Sequence, residues 1–210
     1  MTMLASLFAI LGAVLIGAIS PGPSFVMVAR TSIALSRRAG FAAALGMGLG
    51  GAIFAALAVG GLYALLMKVT WLYLGLKVAG GAYLVYLATR IWRGAAGVLV
   101  VEGLALAPVR LRTSLGLGLT TQLSNPKTAL VYASIFAALL PRHVPAWACV
   151  VLPPLVFAVE AGWYSVVAFS FSARRPQAFY LKLKSSVDRT AAGVIGALGL
   201  KLIFDALRRA

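Results

Sequence analysis

Two short proline-containing runs, each inside a long apolar segment, hold the residues best suited to chemistry. The first is Ser-Pro-Gly-Pro at residues 20–23, and the second is Ser-Asn-Pro-Lys at residues 124–127. Proline lacks a backbone N–H and breaks the helix before it, whereas Ser or Asn followed by proline is typical of a helix start. Each run therefore predicts a new half-helix, whose unpaired N–H groups and positive dipole end suit an anion such as a carboxylate.

Three ionisable residues also lie in apolar segments, where burying a charge is costly. Lys127 directly follows the second proline, Lys77 lies in the third apolar segment, and Glu160 lies midway along the fifth. Lys127 is the candidate for substrate contact, and Glu160 is the candidate to carry a coupling proton or to balance a lysine. A purely structural ion pair, or a Lys77 side chain that extends to the membrane surface, stays open as the alternative.

The composition indicates the kind of protein that positions these residues. Apolar residues make up 62% of the 210-residue chain and charged residues 11%, and the mean hydropathy is +0.99. Soluble domains carry roughly 25% charged residues. Since so few polar side chains cannot cover a soluble globule, the sequence predicts an all-α integral membrane protein, surrounded by lipid.

The charge and the cysteine count exclude several classes of function. The 19 basic residues exceed the 4 acidic ones, but they mostly separate apolar runs and form no aromatic-interleaved basic face, so nucleic acid is not an expected partner. One cysteine, Cys149, cannot form an internal disulfide or a thiolate cluster, and one histidine, His143, argues against a metal site. Because no nucleophile–base pair is present, we expect neither an enzyme with catalytic residues nor a cofactor.

Six stretches are long and apolar enough to cross a membrane, which needs roughly 20 residues. They are residues 4–28, 40–67, 69–89, 114–140, 146–172 and 190–207. Residues 94–109 are shorter and contain several glycines, so we expect a surface-lying or irregular loop there. A crossing by that segment is the alternative, and it would invert everything that follows.

The basic residues of the short loops predict the orientation. Twelve lie in the 1–2, 3–4 and 5–6 loops, and four lie on the other side. Because cytoplasmic loops are enriched in Lys and Arg, both termini are expected outside.

The two halves of the chain align with each other. A shift of 105 residues brings Pro21 onto Pro126. Each half has three helices, an odd number, so the copies must be inverted, as in many secondary transporters. The expected layout is one transmembrane domain over residues 1–210, with repeats at about 4–92 and 109–207 and a cytoplasmic loop at about 90–113. A simple kink is the alternative explanation for either break alone.

Because the broken helices run in opposite directions, we expect their breaks to point at one shared substrate site. Its predicted residues are Ser20, Pro21, Gly22, Pro23, Gln122, Asn125, Pro126 and Lys127. Lys77 and Glu160 are the predicted proton-coupling or charge-balancing residues. Further polar or aromatic walls are expected from Tyr132, Trp163 and Tyr164, and an interfacial i,i+4 pair from Lys201 and Asp205.

Several motifs, taken together, resemble the LysE/RhtB family of amino-acid exporters. They are Ser-Pro-Gly-Pro at 20–23, Arg-Arg-Ala-Gly at 37–40, Ala-Leu-Gly-Met-Gly-Leu-Gly at 44–50, the segment 76–87, and Asn-Pro-Lys at 125–127 followed by 136–141. The resemblance covers nearly the whole chain. It implies an inner-membrane exporter of amino acids or close derivatives, driven by the proton gradient.

The chain departs from the family at Ser24, where an acidic residue is common, and at Ile53 and Phe54, where a histidine is common. If those groups carry protons or contact the substrate amine in relatives, coupling and substrate differ here. A membrane scaffold or accessory subunit without transport activity is the alternative function. It explains the composition but not two matched breaks beside charged residues. The glycine-rich segments fit packing within the bundle or between copies of the chain, so a homo-oligomer also stays open.

Overall fold

The computed structural model describes residues 3–66, 70–96, 110–141 and 144–208, with side chains except at 62–74, 76–77 and 174–181. These ranges contain helices and no strand, which confirms the all-α class. The helices are α1 (Met3–Ile19), α2 (Pro23–Ala34), α3 (Arg37–Leu66), α4 (Thr70–Gly94), α5 (Leu111–Leu123), α6 (Pro126–Leu139), α7 (Ala146–Phe171) and α8 (Arg174–Leu207).

Three stretches of the described helices are long and apolar enough to cross a membrane. They are Arg37–Gly61 of α3, Ala146–Phe171 of α7 and Lys182–Leu207 of α8. α1 and α2 meet at a bend of 60° and together make a fourth candidate span. The described helices therefore support three or four spans by length and composition.

Two helices extend beyond the predicted spans, and both extensions carry charged residues. α8 begins at Arg174, before the predicted span 190–207, and α4 continues to Gly94, past the predicted span 69–89. In α8, Lys184 Nζ and Asp188 Oδ2 are 2.8 Å apart, so two charges one turn apart offset each other on the helix. Lys201 and Asp205, which the sequence predicted as a pair, do not form an ion pair. Among the described side chains of α8, the ion pair is Lys184–Asp188.

Pairs of long helices pack with opposite chain directions. Along α3 and α7, Gly40 lies against Ala168, and Gly51 lies against Glu160. α4 and α8 also pack antiparallel, with close approaches at Gly81–Gly199 and Ala88–Gly196. Because glycine has no side chain, backbones approach closely at these points.

The buried apolar side chains form two large clusters that leave a polar layer between them. One cluster takes Ala55 and Val59 from α3 with residues of α7 up to Val156. The other takes Met47 from α3 with residues of α7 from Tyr164 onward. Glu160 therefore lies on α7 between the two clusters.

The approach of α3 to α5 depends on Gly118, where an added Cβ would meet the backbone carbonyl of Ala43. Gly116, two residues before it on the same helix, faces elsewhere, and a Cβ there would have no atom within 4 Å. We predict that Gly118→Ala forces the two helices apart and lowers stability by about 1–3 kcal/mol, the usual cost of overpacking. Thermal unfolding in detergent measures this. Gly116→Ala is the matched control, and equal melting temperatures for both variants would contradict the packing.

Candidate functional site

Both predicted helix breaks are present. The first separates α1 from α2 at residues 20–22, and the second separates α5 from α6 at Ser124 and Asn125. At the second break Asn125 is the N-cap, and its Oδ1 accepts from the backbone N–H of Lys127 at 3.0 Å. At the first break the N-cap is Gly22, without a side-chain cap. The expectation that Ser20 caps this helix, with Pro21 as its first residue, is therefore wrong.

The two breaks contact each other directly, although they are more than 100 residues apart in the chain. Asn125 Nδ2 donates to Ser24 Oγ at 3.0 Å. Lys127 Nζ donates to the Ser20 backbone carbonyl at 3.2 Å and lies 3.5 Å from Ser20 Oγ. A Cβ at Gly22 would lie 3.3 Å from Lys127 Nζ, so glycine leaves space for the ammonium group.

The carboxyl end of α1 finds donors from other helices. Trp163 Nε1, on α7, donates to the Ala18 carbonyl at 3.0 Å, next to the Lys127 bond to Ser20. The last carbonyls of a helix lack intrahelical partners and carry partial negative charge. Lys127, in the first turn of α6, therefore covers the negative end of α1.

A chain of buried hydrogen bonds leads from the breaks to Glu160. Ser24 Oγ, which accepts from Asn125, donates to Gln122 Oε1 at 2.7 Å. Gln122 Nε2 donates to Glu160 Oε2 at 2.8 Å, and Tyr132 OH donates to Glu160 Oε1 at 2.8 Å. All five side chains are at most 5% exposed. A change at Glu160 is therefore linked through polar contacts to the N-cap of α6.

Glu160 has no cationic partner within ion-pair distance among the described side chains. The expectation that Glu160 carries a coupling proton or balances a lysine stays a prediction. The Lys77 side chain lies outside the described residues, so its role stays a prediction. A tyrosine hydroxyl donates to a carboxylate and accepts from a carboxylic acid. The Tyr132 contact is consequently compatible with Glu160 in either protonation state.

Two cavities adjoin the breaks. The smaller, of about 30 Å³, lies between the breaks and Glu160, with Tyr132 and Tyr164 in its wall. The larger, of about 530 Å³, extends along the carboxyl-terminal part of α4 and the amino-terminal part of α8. The walls shared by both are Ser20, Gly22, Asn125 and Lys127. The breaks thus separate a pocket of water-molecule size from one of ligand size.

Seven of the eight predicted substrate residues line the larger cavity, and Gln122 does not. Pro21, Pro23 and Pro126 line the larger cavity beside the four shared residues. Gln122 lines neither cavity and instead joins Ser24 to Glu160.

Sequence reasoning missed the contacts of Ser24 and the walls that α4 and α8 supply to the larger cavity. The four-residue spacing of Lys184 and Asp188 was the available signal for α8.

Comparison with known proteins identifies the family of this chain. The sequence profile described as LysE type translocator matches residues 15–206. The chain belongs to this family. The resemblance drawn from the motifs is therefore confirmed, and the apolar helices are those of a bacterial membrane-protein family.

Two relatives from Escherichia coli align with this chain over most of its length and most of their own. The threonine efflux protein is 29% identical over 195 residues, which is 91% of this chain and 94% of that protein. The uncharacterized membrane protein YahN is 30% identical over 190 residues, 89% of this chain and 83% of that protein. An uncharacterized membrane protein of Pseudomonas aeruginosa is 34% identical over 154 residues, 72% of this chain and 70% of its own length. No solved structure matches the chain.

Proposed function

We propose that this chain exports amino acids, or closely related small metabolites, across the bacterial inner membrane. The observation that carries the proposal is the direct contact between two helix breaks beside a ligand-sized cavity, in a member of the LysE type translocator family. The cavities at the breaks count against a membrane scaffold, in which we would expect the breaks to be tightly packed. Since a relative is a threonine efflux protein, threonine is the first substrate to test.

The proposed arrangement is one domain of six spans in two inverted repeats, with both termini outside. The repeats are about 4–92 and 109–207, joined by a cytoplasmic loop at about 90–113, of which residues 97–109 lie outside the described part. The antiparallel packing of α3 with α7 and of α4 with α8 supports it, since three crossings per half reverse the direction of corresponding helices.

In the proposed mechanism the substrate carboxylate binds at the starts of α2 and α6. Their first N–H groups and positive dipole ends attract an anion. The Lys127 ammonium, which holds the Ser20 carbonyl in this structure, turns to the carboxylate when substrate arrives. The three prolines of the breaks keep each pair of half-helices from closing into one helix.

Glu160 is the proposed proton carrier, with Lys77 as the second charge-balancing candidate. Protonation removes the negative charge that Gln122 Nε2 now faces, so the contact between these two side chains weakens. Gln122 also holds Ser24, and Ser24 holds Asn125, so the effect reaches the substrate site. Proton uptake at Glu160 and substrate movement at the breaks are thereby coupled.

Efflux from preloaded cells tests the transport function. We predict that cells with this protein lose labelled threonine or a related amino acid faster than cells without it. An uncoupler should abolish the difference, because the proton gradient drives export. No accelerated loss of any amino acid in a broad panel, with the protein present in the membrane, would refute the proposal.

Removing the Lys127 ammonium tests the carboxylate site. Lys127→Met should raise the half-saturating internal substrate concentration about tenfold or more, the value of one charged hydrogen bond. Lys201→Met removes an exposed lysine of α8 and is the matched control, which should behave as the wild type. Equal concentration dependence in both variants would remove Lys127 from the site.

Glu160→Gln separates coupling from binding. The amide keeps the size of the side chain but cannot carry a coupling proton, so transport against a gradient should stop. Exchange of labelled for unlabelled amino acid across the membrane should continue. Asp205→Asn, the same chemical change near the end of α8, is the control. Uphill transport that persists in Glu160→Gln would exclude Glu160 as the carrier.

A further inference from the structure

The larger cavity beside the breaks has walls that the proposed substrate site does not use. α4 contributes Tyr83, Tyr86 and Arg90, and α8 contributes Lys184 and Asp188. The three α4 residues are spaced by three and four, so they lie on one face of that helix. This face looks across the cavity towards the breaks and Lys127.

The cavity wall carries more positive than negative charge. Its cations are Arg90, Lys127 and Lys184, and its acid is Asp188. Asp188 Oδ2 binds Lys184 at 2.8 Å, so the charges of this pair offset each other, while Asp188 Oδ1 is buried without a hydrogen-bond partner. Among the side chains that the structure describes, neither Arg90 nor Lys127 has a carboxylate within ion-pair distance. Two positive charges of the cavity therefore lie without an ion-pair partner.

Arg90 is positioned for an anion in the cavity. Its guanidinium carbon lies 6.0 Å from the centroid of the Tyr86 ring, a cation–π contact that favours an orientation but supplies no countercharge. A guanidinium group offers parallel N–H donors that match both oxygens of a carboxylate. The cavity volume, about 530 Å³, falls in the range of small-molecule sites.

We propose that Arg90 binds the substrate carboxylate in this cavity before Lys127 receives it, and that the cavity selects neutral and acidic amino acids over basic ones. A neutral amino acid carries one carboxylate for its one ammonium group, so its binding adds no net positive charge to the cavity. A basic amino acid brings a second cation close to Arg90 and Lys127, and Asp188, the acid in the described cavity wall, is already paired with Lys184. This inference rests on the proposed function and adds a residue and a substrate class to it.

Arg93 provides a matched control for Arg90. It is exposed on the same last turns of α4, but it lines a different groove, next to Trp92. Arg90→Gln and Arg93→Gln each remove one positive charge from the same end of the helix. Effects on membrane orientation or on lipid contact are therefore shared, whereas an effect on the cavity is not.

The experiment measures efflux kinetics of the full chain in cells loaded with a range of concentrations of an exported neutral amino acid. Arg90→Gln should raise the apparent KM about tenfold or more, as expected for a lost charged hydrogen bond. Arg93→Gln should leave it unchanged, and Arg90→Lys should restore part of the affinity. Equal KM values for Arg90→Gln and Arg93→Gln would overturn the role of Arg90.

Competition inside the same cells tests the substrate class. Unlabelled serine and glutamate should slow the efflux of the labelled neutral substrate, whereas unlabelled lysine should not. Competition by lysine as strong as that by serine would overturn the selectivity. Absence of efflux of any amino acid by the wild type would overturn the proposed function and this inference with it. Normal efflux by the wild type, together with equal KM values for Arg90→Gln and Arg93→Gln, would overturn this inference alone.

Discussion

The contact between the two helix breaks is the constraint on which the site depends. Each break exposes backbone groups that an apolar bundle must satisfy, and the two breaks bind each other. Lys127 covers the Ser20 carbonyl, and Asn125 binds Ser24. Under the proposed function, an anion that takes Lys127 away from Ser20 changes the contact between the half-helices. The proposal thereby makes substrate binding and helix movement one event.

The glycines of α3 make room for the polar chain behind the breaks. A Cβ at Gly50 would lie 2.7 Å from Gln122 Cβ, and one at Gly51 would lie 2.8 Å from Tyr132 OH and 3.0 Å from Glu160 Cγ. Any side chain at these positions would displace the residues that hold or contact the buried carboxylate. The close approach of α3 therefore serves the polar layer between the two apolar clusters as well as the packing of the bundle.

The sequence was sufficient to predict the parts that depend on local chemistry. Composition indicated helices, the prolines marked both breaks, and Asn before Pro126 indicated the N-cap that is observed. The start of α2 was misplaced because two prolines in three residues allow two starting points. The contact of Ser24 with Gln122 joins residues 98 apart, and no local pattern reveals it. The amino-terminal turns of α8 were not predicted because hydropathy marks only the apolar part of a helix, and Lys184 and Asp188 lie outside that part.

The most direct test of the account measures proton and substrate movement together in liposomes that contain the purified protein. The liposomes hold the exported amino acid and a pH-sensitive dye, and dilution creates an outward substrate gradient. Because one polar chain links the breaks to Glu160, the account predicts that the internal pH falls while the amino acid leaves. Loss of the amino acid without any change in internal pH would contradict it.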